Sequence, residues 1–153
     1  MITALLFYLL FKLARQDLKD RRLPNSLVLE VFALGLLYVY VSEPSEMLSR
    51  LYVAVGFCGL VLLFGAAYEK FRKIESMGAG DIKLLAALSV WLPAAQILPF
   101  FILALLLFIS CCVYDNFRGG PKSAFADAFG PHISTAFAIF WLTTSPAFFP
   151  SLS

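Results

Sequence analysis

From Ile82 to Tyr114 the chain runs for about 33 residues with a single charge, Lys83, at its edge. One bilayer crossing takes about 20 residues, so this run is too long for one span and slightly short for two. Leu92-Pro93-Ala94-Ala95-Gln96 supplies a break, because proline removes a helical donor and clashes with the preceding turn. The run therefore divides into predicted spans at 82–95 and 97–114, joined by a tight turn. Further apolar segments lie at 2–14, 27–42, 51–68 and 131–149. The expected architecture is all-α: a polytopic integral membrane protein of about six transmembrane helices, forming a single domain over 1–153. Composition agrees, with 61% hydrophobic and only 14% charged residues, where soluble domains carry roughly half and a quarter.

Charge in the connections predicts the orientation. Residues 12–25 hold Lys12, Arg15, Lys19, Arg21 and Arg22, and 69–83 hold Lys70, Arg72, Lys73 and Lys83. The 43–50 connection has one arginine against two glutamates, and 93–96 has no charge. Loop 115–130 has Arg118 and Lys122 beside Asp115 and Asp127. The positive-inside rule then puts the first, third and fifth connections in the cytoplasm and both termini outside. Met1 to Phe11 has no basic residue ahead of its apolar run and no small-x-small site after it, so it reads as a retained first span. The expected location is the inner (cytoplasmic) membrane, crossed several times.

Several function classes drop out. A net charge of +2 is too small to imply a nucleic-acid partner. Cys58, Cys111 and Cys112 lie in apolar stretches without a Cys-x-x-Cys pair, and His132 is the sole histidine. Zinc needs about four such ligands at suitable spacing, so no metal or other cofactor is expected. His132 follows Gly130-Pro131 and reads as a residue of a helix start.

The acids at the membrane boundary are the candidates for chemistry. Asp17 lies just past the first span, and Asp81 opens the fourth after Met77-Gly78-Ala79-Gly80. By the orientation above both face the cytoplasmic side, where paired carboxylates would suit acid–base hydrolysis of a peptide bond. Two carboxyls a few ångström apart share one proton and titrate as a unit. Gly78 and Gly80 permit positive φ and close approach of backbone or substrate. Asp81 would cap its helix, with Lys83 adding to the field or facing lipid headgroups. Pro24-Asn25-Ser26 reads as a helix start that fixes the connection carrying Asp17. Each feature also has an ordinary reading: Asp17 as a solvated charge in a basic loop, Gly-x-Gly-Asp as a turn and cap. Asp20, Glu69 and Glu75 are rival acids or surface charges, and Glu30, near the start of the second span, is an intramembrane acid that can also snorkel to the interface.

The combination is more specific than its parts. Asp17-Leu18-Lys19-Asp20-Arg21-Arg22-Leu23-Pro24-Asn25 resembles the first active-site motif of type IV prepilin peptidases, an Asp and a basic stretch before Ile/Leu-Pro-Asn. Met77-Gly78-Ala79-Gly80-Asp81-Ile82-Lys83-Leu84-Leu85 is similar to the second, Gly-x-Gly-Asp followed by an apolar residue, Lys and Leu. Ala128-Phe129-Gly130-Pro131 is similar to the aromatic-Gly-Pro that begins the family's last span. The resemblance implies an intramembrane aspartyl endopeptidase that removes the basic leader of a prepilin or pseudopilin substrate at the cytoplasmic membrane face. It implies Asp17 and Asp81 as the catalytic pair, with Gly78, Gly80, Lys83, Pro24 and Asn25 as active-site support. Larger members also N-methylate the trimmed pilin and carry an extra N-terminal region. This sequence begins directly with its first apolar segment, like the short peptidases of tight-adherence (Flp-type) pili, so proteolysis without methyl transfer is expected. Archaeal preflagellin peptidases share the catalytic pattern and are the nearest competing identity. A small transporter or a non-enzymatic assembly subunit is the alternative from another class. The cytoplasmic acids Asp20, Glu69 and Glu75 are expected to attract the basic leader.

Overall fold

The computed structural model describes residues 2–20, 23–72, 79–118 and 128–144, with backbone alone for 64–72 and 79. Six α-helices account for nearly all of them: α1 (Ile2–Asp20), α2 (Asn25–Ser42), α3 (Met47–Arg72), α4 (Ala79–Ser89), α5 (Ala94–Arg118) and α6 (Gly130–Thr144). A 3₁₀ turn at Pro44–Glu46 links α2 to α3, and no strand occurs among the described residues. Among the described residues, three stretches are long and apolar enough to cross a bilayer by themselves: Asn25–Ser42, Pro44–Leu63 and Ala94–Arg118.

Hydrophobic burial on the inside and apolar exposure on the outside coexist here. α1 buries Leu6, Leu9, Leu10, Leu13 and Asp17, a stripe at the three- and four-residue spacing of one helix face. The outward faces are also apolar, with Leu29, Tyr52, Val55, Leu63 and Leu98 each more than half exposed. Water would penalise such a continuous apolar surface, whereas lipid does not. This is the pattern of a polytopic membrane protein.

α6 packs on α1 and α5, α4 packs on α2 and α3, and contact between α4 and α6 joins the two groups. The core therefore runs between α4 and α6, centred on Leu84, Leu85, Leu88, Ile133, Ala136 and Phe137. Tyr38, Trp91, Phe137 and Trp141 form a ring cluster toward one end, with Tyr38 stacked on Trp91 at 5.2 Å.

Two of the boundaries that differ from the sequence expectation bear on the site. α1 continues to Asp20 instead of ending near 14, so Asp17 is helical and not in a loop. Nothing in Arg15 to Asp20 breaks a helix; the restriction comes from Pro24, which biases Leu23 away from helical backbone. α4 ends at Ser89 instead of 95, giving 11 residues, or about 16 Å of a hydrocarbon core about 30 Å thick. The chain turns at Val90–Leu92, where Trp91 N donates to Leu88 O and Leu92 N to Ser89 O. Apolar burial stabilises this early turn, since Val90, Trp91 and Leu92 are each 1% exposed.

Candidate active site

Asp17 stands in the last turns of α1 and Asp81 in the first turn of α4. Asp17 belongs to the apolar stripe of its helix, so the burial of Leu10 and Leu13 carries the carboxylate inward as well. It is 6% exposed. The N–H of Gly130, at the start of α6, donates to Asp17 Oδ2 at 3.2 Å. A Cβ at Gly130 would lie 2.6 Å from that oxygen, so glycine is what lets the helix start come so close.

The two acids are near enough for the charge of one to act on the other. Burial raises Asp81 first, and repulsion from Asp17 adds to it, pushing its pKa up to about 7. Burial also lifts Asp17 above the ordinary carboxylate range, while the Gly130 hydrogen bond pulls it part of the way back. Burial and the neighbouring charge together favour keeping a proton on the pair.

The remaining predicted site residues separate into those that join this end of the bundle and those that do not. Pro24 is the N-cap of α2 with φ −68° and ψ 128°, and α2 begins at Asn25 as expected. Lys83 Nζ donates to Asn25 Oδ1 at 3.0 Å. Lys83 therefore engages the first motif and does not face Asp81: two residues along a helix turn the side chain by about 200°. Gly80 is helical and has no positive φ; its requirement is steric, because a Cβ there would meet Leu23 Cβ at 3.1 Å. Asp81 is the third residue of α4 and so lies inside the first turn, not at the cap. Asp20 and Glu30 are exposed. Gly78, Glu75 and the side chain of Glu69 lie outside the described residues.

Gly130 is the site residue that the sequence reading did not assign to the acids. Its signal was present in Phe129-Gly130-Pro131, but nothing in the sequence tied that segment to Asp17, 113 positions away. His132 is 8% exposed and its Nδ1 lies 2.9 Å from Ala128 O, in keeping with a place at the start of α6. Among the described residues no three His, Cys, Asp or Glu side chains gather to hold a metal.

Six packed helices with an apolar exterior define a polytopic membrane protein, with buried Asp17 and half-buried Asp81 brought near each other at one end. Residues 4–113 match the type IV leader peptidase family, and the chain belongs to that family. It is 30% identical over 131 residues to the prepilin leader peptidase/N-methyltransferase of Xanthomonas campestris pv. campestris, covering 82% of this chain and 44% of that one. Against the Vibrio cholerae serotype O1 protein of the same name it is 29% identical over 100 residues, covering 64% and 38%. The leader peptidase HopD of Salmonella typhimurium is 32% identical over 90 residues, covering 57% of each chain. The chain thus spans between 38% and 57% of the length of these relatives. No solved structure matches.

Proposed function

We propose that this chain is an aspartic endopeptidase that cuts the basic leader from prepilin-like, membrane-inserted substrates at the cytoplasmic membrane face. The observation that carries the reading is the placement of Asp17, near the end of α1, and Asp81, in the first turn of α4, near enough for one charge to raise the other's pKa. Family membership supports leader processing, and the names of the relatives point to prepilins.

The proposed chemistry follows from one shared proton. Ionised Asp17, steadied by the Gly130 N–H, accepts a proton from water as the water oxygen attacks the scissile carbonyl carbon. Protonated Asp81 donates a hydrogen bond to the carbonyl oxygen, which gains negative charge in the tetrahedral intermediate. The C–N bond then breaks, the departing nitrogen takes a proton from the pair, and the carboxyl and amine products leave. Water both attacks and supplies the protons, so the pair returns to its one-proton state. Basic residues beside both acids support a cytoplasmic position for this end under the positive-inside rule. Asp20, Glu69 and Glu75 are proposed to attract the leader; reversing their charge should raise KM with kcat little changed.

The test is co-expression with candidate prepilins, scored by the mobility shift of the trimmed product. Wild type should trim the substrate. Asp17→Asn and Asp81→Asn should each leave it whole while inserting in the membrane at normal levels. Continued trimming by either variant refutes the proposal.

A further inference from the structure

The residues that lead into α2 meet the N-terminal end of α4 at two points. Leu23 packs against Gly80, where even a Cβ would press on it. Two residues on, Asn25 accepts the hydrogen bond from Lys83 Nζ at 3.0 Å. Below that bond a surface groove opens along the two packed helices. Asn25, Val28, Leu29 and Phe32, one face of α2, look across a groove of about 350 Å³ at Lys83, Ala86 and Ala87 of α4. The Lys83–Asn25 bond stands at the mouth of this groove, a polar tie added to the packing of α4 on α2. The opposite end of the α4 segment has its own polar tie to α2, from Trp91 Nε1 to Val31 O at 3.1 Å.

Asp17 and Asn25 flank the same short connection, one at the end of α1 and the other at the start of α2. Whatever fixes Asn25 on α4 therefore limits how far the Asp17 end of α1 can move from Asp81. We propose that Lys83 is a positioning residue that, through Asn25, clamps the α1–α2 connection over the end of α4 and sets the separation of the two acids. This rests on the aspartic-peptidase reading above. The groups around Asp81 leave room for this indirect role. Asp17 comes from α1 with the N–H of Gly130 from α6 on it, and Asn25 of α2 takes up the Lys83 ammonium. From α3, Cys58 Sγ meets the Ile82 carbonyl at 3.7 Å. Because Lys83 is exposed, losing its bond should leave the fold intact and alter geometry.

The test uses the full chain in vesicles with a synthetic peptide carrying a lysine-rich leader ahead of an apolar helix. Lys83→Met and Asn25→Ala should each lower kcat about tenfold to a hundredfold, with KM within about twofold, as expected for misplaced groups. The double variant should be no worse than the poorer single one, since both remove one bond. Lys83→Arg, which keeps a donor, should recover most of the activity. The pH profile separates a clamp from a charge effect. If the acids drift apart, Asp81 loses repulsion and the alkaline limb moves to lower pH. If the lysine charge acts directly on Asp81, its loss moves that limb to higher pH, and the clamp is refuted. Unchanged kcat in both single variants, or additive losses in the double, refutes it too while wild-type cleavage stands. A wild-type protein that leaves the peptide whole would refute the peptidase reading and the clamp together.

Discussion

The two ends of this helix bundle handle buried charge in opposite ways. At one end Arg50 is 6% exposed and fully engaged: its guanidinium pairs with Glu43 and Glu46 and donates to Trp91 O at 3.2 Å. That cation joins the 3₁₀ turn, α3 and the early turn after α4, beside the ring cluster of Tyr38, Trp91 and Trp141. At the other end Asp17 is equally buried, yet among the described residues it faces a second acid and one backbone N–H, with no cation. A satisfied buried ion tends to hold a structure in place, whereas a strained one stores reactivity. The contrast fits a structural role for the Arg50 end and, under the proposed peptidase reading, a chemical one for the aspartate end.

The largest expected effect probes the reactive end. Asp17→Asn or Asp81→Asn should lower cleavage about a thousandfold or more, while thermal unfolding in detergent shows no loss of stability. A variant that lost both together would erase the contrast. Next is Gly130→Ala, whose new Cβ would press on Asp17 Oδ2. It should reduce kcat about tenfold to a hundredfold with KM nearly unchanged, read from initial rates. Arg50→Ala probes the other end. It should cost about 2 kcal/mol of stability, because Trp91 O loses its donor and two half-exposed glutamates lose their partner. The kcat of the folded fraction should hold, and a large kcat loss at constant stability would overturn the division.

The smallest effect is a pH dependence, and its sign follows from Asp81. Its folded pKa, about 7, lies above the ordinary value of 3.8, so folding favours the protonated form. The contribution is fully present below the unfolded value and is lost as pH rises through about 7. Wild type should therefore melt at progressively lower temperature from about pH 4 to about pH 7, and Asp81→Asn should not share that slope. Cleavage should fall above about pH 7 as the shared proton leaves, seen as the alkaline limb of the rate profile.

Much of this was legible in the chain because its signals are local. Apolar runs and their charged borders specify helices in lipid, since an unsatisfied backbone there is costly and a helix satisfies itself. Pro24 and Gly130-Pro131 mark two helix starts, which is where α2 and α6 begin. The two aspartates stood out through the residues around them. Local signals failed where burial decided: α4 stops at Ser89 because Trp91 and Leu92 find a buried place, not because of Pro93 alone. Likewise α1 runs on through Asp17 because its inward stripe continues to that residue.

The sequence by itself determined an all-helical membrane chain with two candidate acids, since hydropathy, proline and charge act within a few residues of where they occur. Only the tertiary structure decided that Gly130 would steady Asp17, that Lys83 would reach Asn25 instead of Asp81, and that Arg50 would bind the Trp91 carbonyl. Those partners lie 113, 58 and 41 positions apart. The physical reason is that hydrogen bonding and desolvation depend on distances of a few ångström, which helix packing sets.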